Sequence, residues 1–377
     1  MRTNPSLNIC LPVILYLAIN TLFVLKYVGR ISLQLALLAA GGYIVMFCLA
    51  GWLAKRYGNH LSPSRRGLLL AMGVAILALS FVQYRIDPYS LRVDRWSAIH
   101  HFLDYLFQGH YPYAASTHLS GYGSPFPFWQ IFHIPFYLLG NVGLSVFVGL
   151  LTFVGCLWLL WNVRAAFWAF VLLLCSPCFL YEVAVRSDLM TNFLLVCALL
   201  CVAIRYRVSF DSHYLWIALT LGLLMSTRLS AVIPLGIYYL RNYLKARWPV
   251  KLFFPIVVLL TFLVTFLPFY LWNSDQLLSS PHSPFILQSR QVHISDFLLF
   301  IPLGIWLALF WRSVSRLMVH IAVFLIVLVV VTFAHKMYLY DNWSELFSSA
   351  YDITYFNMAI PFLIVSLLPQ EKDVNSN

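Results

Sequence analysis

The chain has 377 residues, of which 62% are hydrophobic and 10% charged, with a formal net charge of +11. A soluble domain carries about a quarter of its residues as Asp, Glu, Lys and Arg, so this chain has too few charges to cover a water-facing surface of its own. The positive balance is no nucleic-acid signal either, because no soluble basic domain is present to hold a duplex.

Apolar runs of roughly 18–22 residues can each cross about 30 Å of hydrocarbon. They predict an all-α, multi-pass transmembrane bundle of about 10–12 membrane segments, one integral membrane domain over residues 1–377. The first run, Leu7 to Val28, lacks a small-residue cleavage site and reads as a retained helix. Basic clusters at Lys55–Arg66, Arg205–Arg207, Arg241–Lys251 and Arg312–Arg316 are assigned to the cytoplasmic side by the positive-inside rule. Spans at about 8–28, 31–53 and 67–84 then deliver residue 85 to the outer side, where residues 85–142 form a large loop. Further crossings are expected at about 143–161, 165–181, 188–204, 252–272, 296–311, 317–334 and 353–368, which leaves both termini inside. The acidic residues, which that rule does not use, fall mostly on the outer side: Asp87, Asp94, Asp104, Glu182, Asp188, Asp275, Asp296, Asp341, Glu345 and Asp352, against Asp211, Glu371 and Asp373 inside. A transporter more often places its ionisable groups within the helices, near the midplane.

Within the outer loop, Trp96, Ile99, Leu103, Leu106 and Phe107 repeat at three-and-four spacing and predict an amphipathic helix from Asp94, stopped by Gly109 and lying along the membrane surface. The following "GYGSPFPFWQIFHIPFYLLG" (Gly121–Gly140) is aromatic and broken by proline, as suits a second interfacial or partly embedded segment. The histidines of this loop, His100, His101, His110 and His118, are dispersed without a metal-ligand pattern. Asp94 and Asp188 each stand where a helix begins, and capping alone would explain either of them. Both, however, fall on the same face and lie beside arginines, Arg95 and Arg186, which points to a site.

"CSPC" (Cys175–Cys178) has redox spacing without a thioredoxin-like pattern around it, and all seven cysteines lie in or beside apolar runs as small hydrophobes. Between Arg207 and Arg241 there is room for two short runs joined by Ser226–Arg228. They predict a hairpin whose tip carries Arg228 into the outer half of the membrane. An arginine there must face protein, water or an anionic ligand.

The acidic residue soon after a membrane helix, the amphipathic helix ending "LFQGHYPY", and the "SPFPF" segment together resemble the GT-C superfamily of glycosyltransferases. In particular they resemble the bacterial multi-pass transferases that use polyprenyl-phosphate mannose or a related hexose donor. "SPCFLYEVAVRSDLMTNFLL" is similar to that family's second outer loop and "GLLMSTRLSAVIPL" to its short hairpin, so the likeness spans about 85–240. Where many relatives carry two adjacent acids in the first loop, Arg95 follows Asp94 here.

The resemblance implies inverting transfer of a hexose from polyprenyl phosphate to a hydroxyl of a glycan, lipid or protein, on the outer side of a bacterial inner membrane. Asp94 is then the expected general base, and Asp188 orients the acceptor or holds a divalent cation such as Mg or Mn. Arg228, with Arg186 or Arg95, holds the phosphate, and Asp87, Glu182 and His101 are further substrate-side candidates. Two rivals share the helix count: a transporter or flippase of a lipid-linked or anionic substrate, and an O-antigen polymerase or ligase. The latter relies on arginines in a large late outer loop, whereas the loop Trp272–Ser295, with Arg290, is modest.

Overall fold

In a computed structural model the chain is all-helical. It describes residues 5–57, 63–289, 292–341 and 352–368, so Arg290, Glu345, Glu371 and Asp373 lie outside the described residues. The helices in chain order are α1 Pro5–Gly29, α2 Leu33–Tyr57, α3 Arg65–Arg85, α4 Arg95–Phe107, α5 Pro127–Phe132 and α6 Ile134–Leu138. Then come α7 Ser145–Leu160, α8 Val163–Leu174, α9 Pro177–Ala184, α10 Leu189–Arg205, α11 Phe210–Met225 and α12 Ile233–Lys245. The last are α13 Trp248–Trp272, α14 Ser274–Leu278, α15 Pro284–Ser289, α16 Phe297–Phe310, α17 Val314–Leu339 and α18 Ile360–Leu367. No strand occurs among the described residues, which hold one isolated bridge between Ser116 and Tyr122.

Among the described residues, six helices are long and apolar enough to cross a membrane: α1, α2, α3, α13, α17, and α7 with the short turn before it. The span expected at 165–181 is a pair, α8 and α9, bent by 69°. The bend is written in the "CSPC" motif: Ser176 caps α9 by accepting from the Phe179 amide, and Pro177 takes the first helical position, where its missing N–H loses no bond. Its two cysteines are free, one exposed and one buried. The segments expected at 188–204, 296–311 and 353–368 are shorter apolar helices, as is α11.

Two hydrophobic cores divide the molecule. The larger joins α1, α3, α7–α12 and α16–α18, with α10 packed most extensively on α7 and α17 on α18. The smaller is aromatic and belongs to the segment between α3 and α7: Trp96, Ile99, Phe102 and Leu103 of α4 pack with Tyr113, Phe126 and Trp129. Phe262, Phe266 and Phe269, four and three residues apart on α13, complete it. Phe107, expected on the buried face of α4, is half exposed and instead stacks on Tyr137; Gly109 ends the helix with φ 76°. The segment 121–140 does fold as two short helices, broken at His133.

Contacts collect the acidic loops at one end of the bundle. Gln83 donates to the carbonyls of Gly143 and Val183, Arg95 reaches Asp352, Arg228 reaches Asp188, and Gln288 donates to the Ser124 carbonyl. At the helix ends that carry three of the basic clusters, Arg205 donates to the Leu160 carbonyl, Tyr243 to that of Lys251 and Ser315 to that of Ser366. α11 and α12 form the expected hairpin, with Arg228 between them. α11 approaches α13 so closely at Gly222 that a methyl there would collide with Thr261 and the Val258 carbonyl.

Candidate functional site

Asp87, Asp94, Asp188 and Asp352 each stand at a helix start, and they divide into two kinds. Asp87 and Asp352 have extended backbones and cap with their side chains, Asp87 accepting from the Tyr89 amide and Asp352 from that of Thr354. Asp94 (φ −102°, ψ 6°) and Asp188 (φ −107°, ψ −10°) lie in or near the bridge region, and neither side chain makes a cap bond. Capping therefore does not explain these two. Their carboxylates are turned elsewhere.

Asp188 is anchored. Its Oδ2 accepts from Arg228 Nη2 and from Trp129 Nε1, each at 2.6 Å, and the Asp188 and Arg228 side chains are 3% and 6% exposed. Arg228 supplies the opposite charge that a carboxylate this deeply buried requires, and the Trp129 indole adds a second donor. Trp129 leads on to His133, fully buried, whose Nδ1 lies 2.8 Å from the Trp129 carbonyl and Nε2 3.1 Å from Ser145 Oγ. Burial pushes this imidazole down to about 4 despite the carbonyl bond. Beside Asp188, Ser187, Thr191 and Asn192 are buried too, so α10 opens on a polar, enclosed turn.

Asp94 is half buried and lines a polar chamber of about 390 Å³. Arg95, Tyr122, Ser124, Arg228, Lys336, Asp352 and Tyr355 also border it. Arg95 donates to Asp352 at 2.7 Å and lies over the Tyr355 ring. Asp94 Oδ2 accepts from Thr117 Oγ1 at 3.0 Å. A second, mainly apolar cavity of about 560 Å³ runs along α16 and α17, bordered by Phe297, Phe300, Phe324, Leu328 and Val329. The two cavities share Ser124, Arg228, Leu287, Phe333 and Tyr355. Arg228 thus stands at the junction of an apolar cavity and a charged one.

The structure brings Asp94, Arg95 and Arg228 to one chamber and places Asp188 behind Arg228. The other candidates lie elsewhere. Glu182 is buried, accepting from the Met190 amide and from Asn357 Nδ2, and ties α9 to α10 and to the turn before α18. Arg186, at φ 54°, donates to the carbonyls of Gln83 and Ile86 at the end of α3. Asp87 caps its own turn, and His101 Nδ1 bonds the Ser116 carbonyl.

Chamber residues that the motif reading did not single out are Lys336, Tyr122 and Tyr355. Lys336 carried a signal: a basic residue at the end of an apolar helix opposite to its basic cluster. The buried polar turn had one as well, in the spacing of Ser187, Asp188, Thr191 and Asn192 within an apolar run.

No group of three or more His, Cys, Asp or Glu that could hold a metal stands together among the described residues. Of the carboxylates at and behind the chamber, Asp352 is paired with Arg95, and one oxygen of Asp188 is taken by Arg228 and Trp129. No family model matches the chain, and neither the curated proteins nor the solved structures contain a match.

Proposed function

We propose that this protein is a membrane glycosyltransferase of GT-C type. It moves a mannose-like hexose from polyprenyl phosphate to a hydroxyl of a glycan, lipid or protein, at the outer side of a bacterial inner membrane. The observation that carries the reading is the sharing of Arg228 between the two cavities. A lipid-phosphate sugar has this same order of parts: an apolar chain, an anion, and a polar head to be transferred. The six long helices and the bent pair supply up to seven crossings, and the shorter apolar helices α10, α16 and α18 stand where three more are expected.

In this reading the prenyl chain lies along α16 and α17, with the phosphate at the junction near Arg228, Lys336 and Arg95. The acceptor oxygen attacks the anomeric carbon from the face opposite the phosphate, and Asp94 takes the hydroxyl proton. The carbon–oxygen bond to phosphate breaks, and polyprenyl phosphate leaves as a stable anion. Its stability removes the need for a general acid, so one free carboxylate suffices where a glycosidase needs two. Asp188 acts through Arg228, which it holds in place.

The test is reconstitution in proteoliposomes with polyprenyl-phosphate mannose or glucose and a membrane-derived acceptor fraction. Sugar transfer that is lost in Asp94→Asn supports the reading. Movement of the intact lipid-linked sugar between leaflets, without cleavage, would replace it with a transporter.

A further inference from the structure

Asp94 sits beneath a tight turn, Ser116 to Tyr122, that is pinned at several points. The Thr117 amide donates to the Gly121 carbonyl at 2.8 Å, Ser116 and Tyr122 form a bridge, and Ser120 takes φ 62°. His118 fastens the turn to α4 and the segment before it: its Nδ1 lies 2.7 Å from Ser97 Oγ and its Nε2 2.9 Å from the Leu91 carbonyl. The buried Thr117 hydroxyl accepts from the Gly121 amide at 2.9 Å and meets Asp94 Oδ2 at 3.0 Å. Because that hydroxyl already accepts a backbone N–H, its single proton is directed at the carboxylate. Gly121 completes the seat: a methyl on it would lie 2.7 Å from Asp94 Oδ2 and 3.2 Å from Thr117 Oγ1. A side chain at 121 would push the carboxylate off its place.

We infer that Thr117 is the positioning residue for Asp94, holding Oδ2 through its hydroxyl so that Oδ1, unbonded among the described residues, is presented to the acceptor. The turn explains why a residue at a helix start does not cap that helix. The inference rests on the reading of Asp94 as general base. Misplacement of a reacting group by about 1 Å can lower a rate on the order of 10²-fold, so the seat is worth a measurable share of turnover.

The experiment uses the full-length protein in proteoliposomes with decaprenyl-phosphate mannose as donor and a membrane lipid extract as acceptor source. Thr117→Val keeps the shape and removes the proton; turnover at saturating donor should fall roughly 10- to 100-fold with the donor KM unchanged. Thr117→Ser should restore most of it, and Gly121→Ala should mimic Thr117→Val. In an Asp94→Asn background Thr117→Val should add no further loss, because the two act as one unit.

Wild-type turnover in Thr117→Val, with Asp94→Asn inactive, would overturn the inference and leave Asp94 as base. A Thr117→Ser variant no better than Thr117→Val, folded or not, would reduce Thr117 to a packing residue and overturn it as well. Full turnover in Asp94→Asn, or none in the wild type, would sink the base reading and this inference with it.

Discussion

Asp94 opens α4 and Asp188 opens α10 with nearly the same backbone angles, and neither caps its helix. Their surroundings could hardly differ more. Asp188 is walled in, with a guanidinium and an indole on one oxygen, between α10 of the larger core and Trp129 of the smaller. Asp94 lies at the edge of the smaller aromatic core, open to a chamber and held by one hydroxyl. A carboxylate engaged by Arg and Trp is a fixed anion whose bonds orient its neighbours. One held by a single neutral hydroxyl can exchange partners and take a proton. The same residue type in the same local conformation is thus suited to two tasks by what packs around it.

The sharpest test of this contrast is Asp94→Asn. It keeps the shape and loses the proton acceptor, so sugar transfer should fall roughly 10²–10⁴-fold. Near-wild-type transfer would erase the distinction between the two aspartates. Next is Arg228→Ala, which strands the buried Asp188 charge and should destabilise the fold by about 3–5 kcal/mol, read by thermal unfolding in detergent. Asp188→Asn together with Arg228→Met removes both charges and should recover much of that loss. An unchanged melting curve for Arg228→Ala alone would show that the pair does not support the fold.

The third test uses acid. His133 has a folded pKa near 4, below its ordinary 6.5, so its contribution is fully present above about pH 6.5 and is lost as pH falls toward 4. Stability should decline by at most about 1.4 kcal/mol per pH unit across that window, less steeply in His133→Gln. The smallest effect belongs to Asp94→Ala. With no cap bond to lose, its stability should change by less than the 0.5–2 kcal/mol of a lost cap, in the same unfolding assay.

Much of this arrangement is legible in sequence because it rests on local rules. Hydropathy marks the long helices, the three-and-four spacing marks α4, and the two short runs mark the hairpin with Arg228 at its tip. The bend at Cys175–Pro177 is local too, a Ser-Pro start inside an apolar run, although length alone read that run as one straight span. What was not legible are the pairings. Nothing in the residues around Asp188 says that its partner lies 40 positions on, or that Arg95 meets Asp352 across 257. Capping illustrates the limit well: Asp94 and Asp352 look alike as helix starts, and a turn more than twenty residues away, at Thr117, decides that one of them does not cap.

The pairing of Asp188 with Arg228 also has a consequence for how the protein is made. Synthesis runs from the N-terminus, so α10 and its opening aspartate exist before the residue that neutralises them. For that interval the start of α10 holds an unmatched carboxylate, which is costly to leave in hydrocarbon. The Trp129 indole, made earlier, can donate to it, but the guanidinium bonded to it comes only just beyond the end of α11. The hairpin is therefore a late arrival on which the seating of an earlier helix depends, and α10, α11 and α12 enter the bilayer most favourably as one unit.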